Sequence, residues 1–310
     1  MAAMGKTIPH LPFPPFKKLV GESLKLKVID VGANPSDGEP APYAALLAAG
    51  DAELVGFEPH APSLAVLNAQ RGPHETYLPH AVGDGGRHTL RSCNVASMDS
   101  LLAPNPAVMK LFHLFSYWSK VTGSTPVDTV RLDDVPETAG ADMVCIDIQG
   151  AELLAFAGAR QRLRDVAVIH AETSFVQMYA GQPLFSEIEQ FLRAEGFMLH
   201  RFSPLVGRIV SPFMIDTEVY AEVGQLVYAD AVFVRDLARV DLIEERQLLA
   251  GAAIVHDCYG SVDVAFYLLR ELDRRKQTDL SVRYMNALSP FYPGRALWAW
   301  TGPSQSPAGS

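Results

Sequence analysis

The stretch Val28-Ile29-Asp30-Val31-Gly32-Ala33-Asn34 limits the fold more than any other part of the chain, because it reads as a buried strand that ends abruptly in a turn. Val28, Ile29 and Val31 are the apolar, β-branched run expected of a strand covered on both faces, and Lys25 and Lys27 alternate into it from the solvated end. Asp30 breaks that run. A carboxylate costs several kcal/mol to bury unpaired, so Asp30 is expected to face a crevice and a polar or cationic partner. Gly32 permits a tight turn with close ligand approach, and Asn34 tolerates a left-handed backbone. Open parallel sheets bind nucleotides at such strand ends. The alternative is an ordinary strand-to-loop turn.

Glu58 strengthens the first reading. It closes a second strand, Ala52-Glu53-Leu54-Val55-Gly56-Phe57-Glu58-Pro59, and lies 28 positions after Asp30, the length of one βαβ unit. A carboxylate there can accept two hydrogen bonds from a ribose diol. Between the strands, Tyr43 to Gly50 reads as a short crossover helix with a glycine stop.

With 310 residues and 48% hydrophobic content, the chain can bury one large core and an accessory region. Residues 1–18 lack an apolar segment of signal-peptide length, and no stretch reaches the roughly 18 apolar residues of a membrane span, so a soluble, cytoplasmic protein is expected. Cys93, Cys145 and Cys258 are odd in number and far apart, which suggests neither a disulfide framework nor a thiolate metal site. A formal charge of -9 argues against a nucleic-acid partner.

Five motifs carry a family resemblance: Asp30-Val31-Gly32-Ala33-Asn34, Phe57-Glu58-Pro59, Ala81-Val82-Gly83-Asp84, Val130-Arg131-Leu132-Asp133-Asp134, and Ile146-Asp147-Ile148-Gln149-Gly150-Ala151-Glu152. In this order they resemble the FkbM family of S-adenosylmethionine (SAM)-dependent methyltransferases, over about residues 24–236. The resemblance implies an α/β, Rossmann-like class I methyltransferase sheet of seven strands, the last antiparallel, with SAM across the carboxyl ends of the first strands. It implies cofactor contacts from Asp30, Gly32, Ala33 and Asn34, from Glu58 and Pro59, from Ala81, Val82, Gly83 and Asp84 around the adenine, from Ser97, and from Asp147, Ile148 and Gln149. Asp30 is the first candidate for the methionine ammonium and Asp37 the second. Asp84 has an equal claim as a turn residue capping its own loop. The chain departs from the family pattern in the proline-rich loop 35–42, at Cys145 where a Lys is usual, and at Gln149 where a Glu is usual.

Val166 to Thr173 reads as a strand carrying His170 and Glu172 on one side. With Asp147 they form the best polar constellation in the chain, either catalytic or a structural support for the sheet. Methyl transfer to an alcohol needs a base, and Asp147, His170 or Glu172 is expected to supply it. Asp147 and Glu172 alone make too few ligands for a metal, and none is expected. Glu152 has a structural explanation in the free N–H groups of its helix start. The aromatic stretch Met109 to Trp118 reads as helical, either core or a wall of the acceptor pocket.

The expected layout is a Pro-rich arm at residues 1–23, a SAM-binding domain at 24–236, a helical cap or dimerisation extension at 237–301, and a disordered tail at 302–310. The arm and the extension are the candidate homodimer surfaces. The function expected is O-methylation of a hydroxyl on a small-molecule or glycan acceptor, such as a sugar, polyketide or related metabolite. Two alternatives remain at this level: a catalytically silent scaffold on the same fold, and a nicotinamide-dependent oxidoreductase, which the absence of G-x-G-x-x-G disfavours.

Overall fold

The computed structural model describes residues 13–34 and 40–292, together with Leu297 and Ala299. The expectations for residues 1–12 of the Pro-rich arm, for Asp37 and for the tail 302–310 lie outside the described residues. The strands are β1 (Leu26–Val31), β2 (Ala52–Phe57), β3 (Glu75–Leu78), β4 (Ala81–Val82), β5 (Arg87–Cys93), β6 (Val121–Val130), β7 (Met143–Ile146), β8 (Val168–Ser174), β9 (Phe197–Arg208) and β10 (Gln225–Arg235). The helices are α1 (Phe16–Val20), α2 (Ala44–Ala48), α3 (Ala61–Gln70), α4 (Pro106–Met109), α5 (Phe115–Trp118), α6 (Glu152–Ala157), α7 (Phe185–Ala194), α8 (Glu245–Tyr259), α9 (Val262–Lys276) and α10 (Leu280–Leu288).

Seven strands make one sheet in the order β3-β2-β1-β7-β8-β10-β9. β1 pairs in parallel with β2 and β7, and β7 with β8, whereas β10 runs antiparallel between β8 and β9. This is the expected class I methyltransferase sheet with its last strand reversed. The side-chain period of two sorts residues between two cores. Val28, Met143, Val168 and Val232 face α1, α8, α9 and α10, while Ile29, Val144, Ile169 and Phe233 face α6 and α7. Helix α7 shows why its sequence folds as it does: Ile188 and Leu192, one turn apart, bury against the sheet while the other face stays polar. No helix among the described residues is long and apolar enough to cross a membrane.

Three segments differ from the sequence reading. Tyr77 to Val82, whose sequence reads as one third strand, is split, since β3 joins the main sheet whereas β4 joins a second sheet of order β4-β6-β5. Met109 to Trp118 is two single turns, α4 and α5, because Leu114 between them sits at φ 68, which ends any continuous helix. The extension, whose sequence reads as two main helices over Leu237 to Ile254 and Val262 to Arg275, carries a third, α10, which buries Tyr284 completely.

The β1 turn depends on one glycine. Gly32 has φ +87, and a Cβ there would lie 2.0 Å from the Asp147 backbone oxygen. Gly32→Ala is therefore expected to cost roughly 3 kcal/mol or more. Gly224, where a Cβ would meet nothing within 4 Å, serves as the control and is expected to stay within about 0.5 kcal/mol of wild type. Urea unfolding of both variants measures this, and equal midpoints would refute the close-approach argument.

Candidate active site

Strand register lines up the polar residues in rows on the α8 side of the sheet. Asp30 stands opposite Cys145, which stands opposite His170. One step toward the carboxyl ends come Gly32, Asp147 and Glu172, with Asp230 opposite Glu172. The two rows behave differently.

The upper row borders a cavity that is open to solvent. Gly32 and Asn34 line it from the β1 turn, Glu58, Pro59, His60 and Ser63 from the end of β2, Ala81, Val82 and Leu90 from the second sheet, Ser97, Asp99 and Ser100 from the loop after β5, and Asp147, Ile148 and Gln149 from the end of β7. Glu58 is 5% exposed, and one of its oxygens accepts from the His60 N–H at 2.7 Å. Burial raises its carboxyl above the usual range, and the nearby Asp99 and Asp30 add to the rise. Three carboxylates, Glu58, Asp99 and Asp147, and no Lys or Arg are among the lining residues.

Beyond the cavity floor, Asp147, Glu152 and Glu172 bring carboxylate oxygens within 4.8 Å of one another. The Gln149 amide ties this group together. Its Nε2 donates to Asp147 Oδ1 at 2.7 Å and Glu172 Oε2 at 2.9 Å, and its Oε1 accepts from the Tyr179 hydroxyl at 3.0 Å. Gln149 holds φ 54, a strained value for a non-glycine residue, and its own carbonyl accepts from the Ser100 hydroxyl at 2.7 Å. Glu152 accepts from the Ile148 and Gly150 N–H groups at 3.1 and 3.0 Å, which is the structural role read from its helix start. Burial raises Glu152 to about 7, and burial followed by Asp147, Glu152 and Asp230 raises Glu172 well above the carboxylate range.

The lower row is a separate cluster. Asp30, which burial raises to about 6, accepts from the Tyr43 hydroxyl rather than facing the cavity. His170 Nδ1 lies 3.0 Å from the Tyr259 hydroxyl and its Nε2 is 3.3 Å from Asp230. Of the sequence candidates, then, the structure places Gly32, Asn34, Glu58, Pro59, Ala81, Val82, Ser97, Asp147, Ile148 and Gln149 on the cavity. Glu172 sits one layer deeper, bonded to Gln149. Asp30, Ala33, Gly83 and His170 are not among its lining residues, and Asp84 caps its own turn through the Gly86 N–H at 2.8 Å and pairs with His88. Ser100, which the resemblance sets beside the cofactor with Ser97, also lines the cavity, whereas sequence reasoning missed Asp99, Tyr179 and Asp230. Only Asp230 left a signal, as an acid on the α8-facing parity of an otherwise apolar strand.

Residues 30–199 match the methyltransferase FkbM domain. The chain belongs to the FkbM methyltransferase family. It is 35% identical over 108 residues to the 2-O-methyltransferase NoeI of Sinorhizobium fredii, an alignment that covers 30% of this chain and 44% of that protein. The FkbM methyltransferase of Methylobacillus flagellatus is similar at 12% identity and TM-score 0.37, over 72% of this chain and 48% of that one. A methyltransferase of Thermoplasma acidophilum, described as putative, is similar at 9% identity and TM-score 0.33, over 68% and 69%. The chain thus spans less than half the length of NoeI.

The cofactor of this family is SAM, and the cavity fits it. Its lining offers the groups such a cofactor needs: a buried carboxylate acceptor in Glu58, apolar surface in Ala81, Val82 and Ile148, and acids that suit a sulfonium and an ammonium.

The acid cluster also makes a pH prediction. Folded Glu152 binds its proton more tightly than the unfolded chain does, so its stabilising contribution is complete below the ordinary carboxylate value and is lost as pH rises through about 7. Glu152→Gln keeps an oxygen for the Ile148 and Gly150 N–H groups and removes the titration. Between about pH 5 and pH 8, wild type is expected to lose up to roughly 3 kcal/mol more stability than the variant. Parallel stability curves from denaturant melts across that range would contradict the assignment.

Proposed function

We propose that the protein is a SAM-dependent O-methyltransferase that acts on a hydroxyl of a sugar, glycan or related metabolite. The observation that carries this reading is the lining of the cavity, three carboxylates without a Lys or Arg. A dinucleotide would bring a pyrophosphate into that field, whereas SAM brings positive charge, so the nicotinamide alternative is disfavoured on electrostatics as well as on motif. The similarity to a protein named a 2-O-methyltransferase supports oxygen as the acceptor atom. Three free, buried cysteines are in keeping with action in the reducing cytoplasm.

SAM supplies an activated methyl group, so the protein's task is to align the acceptor, exclude water and remove a proton. Glu58 holds the nucleoside end. Asp147, at the cavity wall, is the group placed to accept the hydroxyl proton, and Gln149 fixes its carboxylate against Glu172. Burial and the neighbouring acids raise the Glu172 carboxyl well above the usual carboxylate range, which favours its neutral form beside Asp147. His170, bonded to Tyr259 and paired with Asp230, supports the acids from below.

Calorimetric titration with S-adenosylhomocysteine (SAH), in parallel with NAD, tests the reading. SAH is expected to bind and NAD to fail, and Glu58→Gln is expected to weaken SAH roughly ten- to a hundredfold, the worth of charge-assisted hydrogen bonds to a diol. Absence of SAH binding to wild type would end the proposal.

A further inference from the structure

Where β9 and β10 run past the ends of the parallel strands, they carry an arginine that the sheet does not use. Arg208 pairs with Gln225 at the tip of the β9/β10 ladder. Its side chain is only 14% exposed, and it packs near two rings, with the guanidinium carbon 5.7 Å from the centroids of both Tyr220 and Tyr228. Nη1 donates to the Gly207 carbonyl at 2.8 Å and lies 3.9 Å from Glu222, an exposed acid. The other edge of the fork is poorly satisfied. Nη2 has a long contact of 3.4 Å to the Tyr228 hydroxyl, and Nε is buried without a hydrogen-bond partner among the described residues. A buried, unmet N–H on a charged group is costly, and the Nε–Nη2 edge has the geometry that takes a carboxylate or phosphate with two parallel bonds.

The surroundings link this edge to the acid cluster through Tyr228 and give it a platform. Tyr228 is two residues from Asp230 on the same face of β10, about 7 Å along the strand. Its phenol lies in the field of Glu172, Asp230 and Asp147 as well as of Arg208. Next to Arg208, Tyr220 stacks on Trp118 with centroids 5.9 Å apart and planes at 19°. Tyr220 is 42% exposed, so part of the stack is open to solvent. Aromatic faces of this kind bind the C–H face of a sugar ring while polar groups take its hydroxyls.

Resting on the methyltransferase reading above, we propose that this is the acceptor subsite. The Trp118–Tyr220 shelf takes the face of a sugar ring, and the Nε–Nη2 edge of Arg208 takes an anionic group on the same acceptor, either a carboxylate or a phosphate. The acceptor class is therefore an acidic sugar rather than a neutral one. The arginine also answers an electrostatic need, because the carboxylates of Asp147 and Asp230 on their own would repel such a molecule.

The test uses full-length protein saturated with SAH and three probes: methyl glucoside, methyl glucuronide and glucose 6-phosphate, followed by saturation-transfer NMR and by Trp fluorescence. At least one charged probe is expected to bind tenfold or more tightly than the neutral one, and whichever charged probe binds identifies carboxylate or phosphate as the anion. Arg208→Gln is expected to abolish that preference and Trp118→Ala to weaken every probe, while both variants keep SAH affinity within about twofold, which also reports that they fold. Equal binding of neutral and charged probes, no binding of either charged probe, or a preference that survives Arg208→Gln overturns the subsite. Loss of SAH binding in wild type is a separate result that removes the methyltransferase reading on which the subsite rests.

Discussion

The site depends on how closely the ends of β1 and β7 approach each other. The Asp147 N–H donates to the Val31 carbonyl at 3.0 Å, and the Asp147 carbonyl occupies the space that a side chain at position 32 would need. This contact brings the two turns that follow the central strands into one wall of the cavity. It also sets where the Asp147 side chain emerges, and so where Gln149, Glu152 and Glu172 must gather. Without a glycine at the first turn, the second could not be there.

Gathering acids has a cost, and the surrounding structure shows how it is met. Glu152 is held by two backbone N–H groups at the start of α6, which also carries the positive end of a helix dipole. Gln149 contributes both donors of one amide to two carboxylates, and Tyr179 and Ser100 fix that amide and its strained backbone. Burial also shifts the balance toward the protonated acids, raising Glu152 to about 7 and Glu172 well above the usual carboxylate range. Favouring the neutral form of some members is the condition under which such acids can sit side by side.

The parts legible in the sequence were those with a short period or a short range. β1 and β2, their terminal acids and the α7 face followed from alternation and helical spacing, because each is decided by residues within one element. Glu58 and Asp147 were legible for the same reason. What was not legible depends on distant pairs. Tyr179 reaches Gln149 across 30 positions and Ser100 reaches it across 49, and no local pattern announces either. Asp30 was assigned to the ligand because its strand end pointed there, but its partner, Tyr43, comes from the crossover segment and takes the carboxylate out of the cavity. The break at Leu114 hid the split of α4 from α5, since a leucine carries no turn signal of its own.

The two departures from the family pattern at the β7 strand end belong together. Cys145 stands between Asp30 and His170 in register, so a Lys in its place would have put an ammonium beside Asp30. With a buried thiol there instead, Asp30 relies on Tyr43 and rises to about 6. At position 149 a Glu would have added a fourth carboxylate to a group that already holds three within 4.8 Å, and with no lysine below to offset it. Gln149 supplies N–H donors at that point, so the loss of a cation in one row is matched by the loss of an anion in the next. The inner acids then hold protons or neutral partners, and the field that reaches the cavity comes from Glu58, Asp99 and Asp147. That is the field a cationic cofactor would meet, and it leaves Arg208, farther out on β9, as the positive group on the acceptor side.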